Sequence, residues 1–206
     1  MNITRPTIKI AGSTILAALA VIFQILPPLF VSPWYMRIDI VAIPWILCWI
    51  IFGLKPAILS MLISAPLVGF IGPAAGGWVG AVMKSVATVW MFLIPAIFSW
   101  KFGGTKKLLN NKWLFLIASI TSIIIRAVIA VVFNFYFALP FFYDMSANDI
   151  ITFFSDVTIF GFGGLGAYIA EVSIWNTLQA VIDLAASLII GLIVLRRLPE
   201  LNMKDK

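Results

Sequence analysis

The chain has 206 residues, 63% of them hydrophobic and 11% charged, with a formal net charge of +6. A water-soluble domain is about 45–50% apolar and about 25% charged, so these proportions exclude a soluble enzyme, a disordered regulator and a secreted disulfide scaffold. Mean hydropathy is +1.11. A bilayer-spanning helix takes about 20 apolar residues, which leaves room for six spans in one domain over residues 1–206 and none for a soluble module. With no histidine and one cysteine, Cys48, no internal disulfide, His/Cys metal site, haem ligation or Ser–His–Asp triad is expected.

The first apolar segment covers about residues 8–31 and ends in Pro27-Pro28 and Ser32-Pro33, which stop a helix. It is as long as a full span and lacks an A-x-A site, so it reads as a span rather than a cleaved leader. The link Trp34-Tyr35-Met36-Arg37 carries aromatics suited to the headgroup level. A second segment, about 38–54, closes at Gly53-Leu54-Lys55-Pro56, and a third, about 57–71, ends at Gly72-Pro73. A fourth, about 78–100, precedes a Lys-rich loop, and a fifth covers about 113–139. A mixed stretch of Phe, Asp and Gly follows, then a last span over about 165–195 that ends in Arg196-Arg197. The expected fold class is all-α, a bundle of six transmembrane helices.

Placing the N-terminus in the cytoplasm puts Arg5, Lys9, Lys55, Lys101, Lys106, Lys107, Lys112, Arg196, Arg197, Lys204 and Lys206 inside. Outside lie Arg37, Asp39, Asp144, Asp149 and Asp156. This is the positive-inside pattern with both termini cytoplasmic. It accounts for the basic excess as a topology signal, with no nucleic acid involved.

Lys84, Arg126, Asp183 and Glu171 fall within spans, where an unpaired charge at mid-membrane costs about 2.5–3.5 kcal/mol. Arg126 lies as far past Trp113 as Asp183 lies before Arg196, so both sit about 20 Å from the cytoplasmic side. They are expected to form a structural ion pair that fixes helix packing. Lys84, Asn134, Asn176 and Gln179 come out at about 25–31 Å, on three helices, near Trp78, Phe133, Tyr136, Tyr168 and Trp175. Polar groups set among aromatics suit a flat, partly polar organic ligand; simple interhelical hydrogen bonding is the alternative. Small residues form two ladders. Ser13, Thr14, Ala17, Ala18 and Val21 offer either an internal contact or a docking face, while Gly72, Gly76 and Gly80 read as internal packing.

At Tyr35-Met36-Arg37-Ile38-Asp39-Ile40-Val41-Ala42-Ile43-Pro44 the chain resembles a junction written Y-L-x-L-D-F-S-D-[IV]-P. That junction belongs to the S components, or substrate-capture subunits, of energy-coupling factor (ECF) vitamin transporters, above all the riboflavin-specific ones. Phe52-Gly53-Leu54-Lys55-Pro56-Ala57, Asn134-Phe135-Tyr136-Phe137-Ala138-Leu139-Pro140, Trp175-Asn176-Thr177-Leu178-Gln179 and Leu195-Arg196-Arg197-Leu198 extend the resemblance colinearly. It implies a six-helix subunit without a nucleotide site, working with a transmembrane coupling subunit and two ATPase subunits. The chain has no G-x-x-x-x-G-K-[ST] of its own. It also implies a ligand held from the outside under the loop at residues 33–39, with Asn134 and Asn176 as polar contacts. Thr14 and Ala18, with Ala17 beside them, fall on the family's docking face. The family's sixth-helix lysine is Gln179 here, with Lys84 the candidate to replace it, and the second acidic residue of D-F-S-D is Ala42.

The candidate substrate contacts are thus Asn134, Asn176, Gln179, Lys84, Asp39, Tyr35 and Trp175. Riboflavin is the expected transported ligand, another vitamin or modified base the alternative; no resident cofactor or metal is expected. A self-sufficient secondary transporter would instead use Glu171, Asp183 and Arg126 as an ion relay, but the inverted repeats usual for one are not visible.

Overall fold

Where no water is present, a backbone must satisfy its own N–H and C=O groups, and a helix does so within one segment. Helices accordingly dominate the residues that the computed structural model describes, 5–32, 36–72 and 76–198. Tyr35, named above as a substrate contact, lies outside the described residues. In chain order the helices are α1 (Arg5–Ile25), α2 (Ala42–Phe52), α3 (Leu54–Phe70), α4 (Gly77–Lys101), α5 (Thr105–Asn110) and α6 (Lys112–Phe133). A π-helical segment (Asn134–Ala138), α7 (Leu139–Tyr143), α8 (Ala147–Ser155) and α9 (Gly164–Arg197) complete the set.

The helices α1, α2, α3, α4, α6 and α9 alternate in direction. Gly12 near the start of α1 lies against the Phe52 ring at the end of α2, and Gly69 of α3 lies against the Gly77 carbonyl of α4. Tyr168 near the start of α9 donates to the Val131 carbonyl near the end of α6 at 2.6 Å. One end of the bundle therefore gathers Lys9, Lys55, Lys101, Lys106, Lys107, Lys112, Arg196 and Arg197.

The lengths of these six helices are unequal. Among the described residues, four helical stretches are long and apolar enough to cross a membrane: Pro6–Ile25, Gly77–Lys101, Lys112–Tyr143 and Gly164–Arg197. α3 has 17 residues and α2 only 11, every one of them buried. At 1.5 Å rise per residue α2 is about 16 Å long, half of a hydrocarbon core. A helix apolar on all sides is a core helix, and α2 is enclosed by α1, α3, α4 and α9. Trp45 and Trp49 fill its middle at 0% and 1% exposure.

The rest of the depth above α2 is taken by a small hairpin that an all-α reading omits. Pro27-Pro28 ends α1, and the extended chain beyond pairs as β1 (Phe30–Val31) with β2 (Arg37–Ile38), Phe30 opposite Ile38. The hairpin is stapled to α9, because the Ser32 hydroxyl donates to Glu171 Oε1 at 2.6 Å.

The helix beginning at Lys112 also departs from a plain span. Its chain widens into π geometry over Asn134–Ala138 just before Pro140. Proline has no N–H to give and crowds the carbonyl four residues back, and a widened turn accommodates it without ending the helix. The mixed stretch after it contains α8, started by a Ser146–Asp149 capping box. Hydrogen bonds from the Ser146 hydroxyl and backbone N–H hold the Asp149 carboxyl below its ordinary range.

Large apolar side chains are exposed on every long helix, among them Ile15, Ile22, Ile124, Val128, Ile189 and Ile193. A soluble monomer does not present an apolar belt of this extent, and lipid is its natural solvent. Trp100 and Trp113 stand exposed at the basic end, as interfacial aromatics do. On α1 the small residues divide between two faces. Ser13, Leu16, Ala17 and Ala20 are buried, whereas Thr14, Ile15 and Ala18 are exposed. Ala17 therefore packs into the core and is removed from the expected docking face.

Gly72 makes the closest backbone approach in this region. Its φ is +84°, and a Cβ there would collide with the Gln24 carbonyl oxygen. Gly72→Ala is expected to lower the melting temperature in detergent, with about 1–3 kcal/mol from the backbone conformation alone and the clash in addition.

Candidate functional site

The helices do not close on one another above α2. They leave a cavity of about 390 Å³, bounded by residues 36–42, α4, α6, the π segment, α7 and α9. That volume lies within the roughly 300–1,000 Å³ of small-ligand sites. Its walls combine apolar groups, such as Trp45, Met83, Leu139 and Phe142, with a small set of polar side chains. Of the residues singled out from sequence, Asp39, Lys84, Asn134, Trp175, Asn176 and Gln179 all line it. So do Arg126 and Asp183, which were read as a structural pair below the ligand level.

The polar residues form a connected chain. Lys84 Nζ donates to Asp39 Oδ2 at 2.6 Å and to Gln24 Oε1 at 2.6 Å. The other Asp39 oxygen accepts from the Val41 N–H at 3.0 Å, at the start of α2, where a carboxylate is favoured by the helix dipole. Gln179 then clamps the Asp39 backbone from both sides. Its Oε1 accepts the Asp39 N–H at 3.0 Å, and its Nε2 donates to the Asp39 carbonyl at 2.6 Å. The same Nε2 donates to Asp183 Oδ1 at 2.8 Å, and Arg126 Nη1 donates to Asp183 Oδ2 at 3.1 Å. This is how two full charges rest at depth: Arg126 is 5% and Asp183 0% exposed, and each needs its partner.

Gln179 lines the cavity with its amide committed, so it holds the segment that covers the site. Asn134 and Asn176 differ. Each donates from Nδ2 to the carbonyl one turn back, Ala130 at 2.8 Å and Val172 at 2.9 Å. These bonds fix the amide orientation, since an oxygen facing a carbonyl would repel. Each Oδ1 is left as an acceptor without a partner among the described residues. Trp175 is half-buried and stacks on Phe30 of β1 with centroids 4.8 Å apart, joining the hairpin to the rim.

Two contributors escape sequence reading. Gln24 is 1% exposed and orients Lys84; a glutamine near a helix end next to Pro27 carries no signal of that role. Thr88 lies one turn below Lys84 on α4, lines the cavity and is 3% exposed; only its i+4 spacing from Lys84 marks the shared face. Gly76 and Gly80 also line the wall, and a Cβ at Gly80 meets nothing within 4 Å. The glycine ladder thus divides, Gly72 packing against α1 and Gly80 keeping space open.

Glu171 stands apart from the ion pair. It precedes Asp183 on α9 by about 18 Å of helix and bonds Ser32. Glu171, Asp183 and Arg126 are therefore not assembled into one relay.

No protein-family model and no curated protein matches the chain. Among solved structures it is similar to the S component of a bacterial ECF transporter, with a TM-score of 0.60 and 18% sequence identity over 93% of this chain and 95% of that one. The likeness covers nearly the whole of both chains and is one of fold.

Proposed function

We propose that the chain is the membrane-embedded substrate-binding subunit, or S component, of an ECF-type vitamin uptake transporter, and that riboflavin is the ligand it captures from outside the cell. In this reading the subunit has no enzymatic activity and resides in the cell membrane with both termini cytoplasmic. It works with a separate transmembrane coupling subunit and two ATPase subunits. The observation that carries the reading is the cavity itself, apolar and aromatic over most of its wall and lined by two asparagines whose Oδ1 atoms accept no hydrogen bond among the described residues. The Lys84–Asp39 and Arg126–Asp183 ion pairs and Arg37 are the charged groups of a wall that otherwise balances apolar surface with a few neutral polar groups. Riboflavin is neutral and flat, with an imide edge and a hydroxylated chain, and it matches that balance. The gathering of basic residues at the opposite end supports cytoplasmic termini.

The exposed face of α1 supports the partner assignment. Thr14 bonds its own helix, donating to the Ile10 carbonyl at 3.1 Å, so with Ala18 it presents a smooth, small surface on which another helix can pack closely.

Gly80 supplies the experiment. Gly80→Leu extends a side chain into open space and is expected to abolish riboflavin binding while leaving the melting temperature of the ligand-free protein unchanged. Asn134→Ala and Asn176→Ala are each expected to weaken binding by about 1–3 kcal/mol. In proteoliposomes, riboflavin uptake is expected only when the coupling and ATPase subunits and ATP are present. Uptake by this chain alone under a proton gradient would refute the S-component assignment.

A further inference from the structure

The polar groups of the cavity that have no partner among the described residues sort by depth. Along α6, Asn134 lies about 12 Å beyond Arg126, and along the antiparallel α9, Asn176 lies about 10 Å from Asp183. Since Arg126 and Asp183 are bonded, the two asparagines share one upper tier and the ion pair marks a lower one. Thr88 belongs to the lower tier: Lys84 reaches Asp39, Gln179 holds Asp39, and Thr88 and Asp183 each lie one turn below Lys84 and Gln179. The upper tier therefore offers acceptors, the two Oδ1 atoms. The lower tier offers donors.

Arg126 is the chief of these. A guanidinium carries five N–H donors, and Asp183 takes only the bond from Nη1. Beyond that bond the guanidinium donates to no partner among the described residues, and the residue lines the cavity, where an unmet donor favours an acceptor. For the ion pair alone a lysine ammonium would serve, whereas arginine presents a planar fork suited to carbonyl and carboxylate oxygens. The Thr88 hydroxyl, also on the wall, makes no hydrogen bond among the described residues.

We infer that the deep end of the cavity is a subsite for a hydrogen-bond acceptor of the ligand (a carbonyl, imide or carboxylate oxygen) held by Arg126 with Thr88 beside it. Arg126 then binds ligand as well as pairing with Asp183. The ligand is elongated, with an acceptor at its deep end and donors, hydroxyl or N–H, at the asparagine tier about two helical turns of backbone above. This rests on the reading that the chain captures a small molecule in this cavity, but not on that molecule being riboflavin.

The test uses the full chain purified in detergent as wild type, Arg126→Lys and Thr88→Val. Native mass spectrometry detects a small molecule carried through purification, riboflavin titration gives affinity, and thermal melting of ligand-free protein reports folding. Arg126→Lys keeps the charge opposite Asp183 and is expected to melt as wild type does, yet to bind roughly 10- to 100-fold more weakly. Thr88→Val is expected to weaken binding roughly 2- to 10-fold. Folded Arg126→Lys protein that binds as tightly as wild type overturns the subsite; if that variant does not fold, unchanged affinity in Thr88→Val does so. If wild type rejects riboflavin but carries another molecule, the riboflavin assignment fails alone. Retention or loss of that molecule by the variants then decides the subsite. A wild type that carries nothing and does not bind riboflavin overturns both.

Discussion

Asp183→Ala is expected to destabilise the protein by about 3–5 kcal/mol, seen as a large fall in melting temperature in detergent. Asp183 is 0% exposed and accepts from both Arg126 and Gln179. Its removal leaves the Arg126 guanidinium buried without a counter-charge, and frees the Gln179 amide that clamps Asp39 over the cavity. The double variant Arg126→Met/Asp183→Leu removes both charges together. It is expected to recover most of the lost stability, because replacing a buried pair by packed apolar groups is often neutral or better. It is not expected to recover ligand binding. A single variant as stable as wild type would mean that the pair does not carry the packing of α6 on α9.

The second large effect is expected at Trp45. This side chain is fully buried on α2, forms part of the cavity wall, and donates from Nε1 to Ser64 Oγ on α3 at 2.8 Å. Lipid tails are as apolar as a protein interior, so in a membrane little is gained by hiding a side chain and most is gained by packing it. Trp45→Ala leaves a void that α1, α3 and α9 cannot all fill, and a loss of about 3–5 kcal/mol is expected. Ser64 keeps a partner in the Ser60 carbonyl, so the lost hydrogen bond adds little. Trp45→Phe restores much of the volume and is expected to lose less than half as much stability. Urea or thermal unfolding in detergent measures the difference.

How far the sequence foretells this arrangement depends on the kind of signal. Apolar segment length and breakers such as Pro27-Pro28 locate the long helices well, because lipid enforces helix wherever apolar sequence is uninterrupted. Depth by rise per residue brings Arg126 opposite Asp183 and places Asn134 and Asn176 on one level, since straight helices keep that ruler. The same ruler fails for α2. Ile38 still belongs to the hairpin and the chain bends through Ile40 and Val41, so α2 starts later, at Ala42, and is buried on every side. Burial on all sides leaves no amphipathic stripe to reveal it. The ruler also fails at the π segment before Pro140, where the turn widens.

Pairings depend on side-chain reach, which spacing does not encode. Lys84 appears from sequence as a cavity lysine, yet its nearest partners are Asp39 and Gln24, separated from it by 45 and 60 residues. Gln179, matched to a family lysine, spends its amide on the Asp39 backbone. Ala17 sits beside Thr14 and Ala18 in sequence, but the 100° step of a helix turns it to the core.

Fluorescence titration of riboflavin with the purified, ligand-depleted chain tests most directly whether the cavity is a binding site. Saturable quenching of the flavin at one site per chain, abolished by Gly80→Leu, is expected. A folded wild-type protein that leaves flavin fluorescence unchanged, and carries no other small molecule through purification, would contradict it.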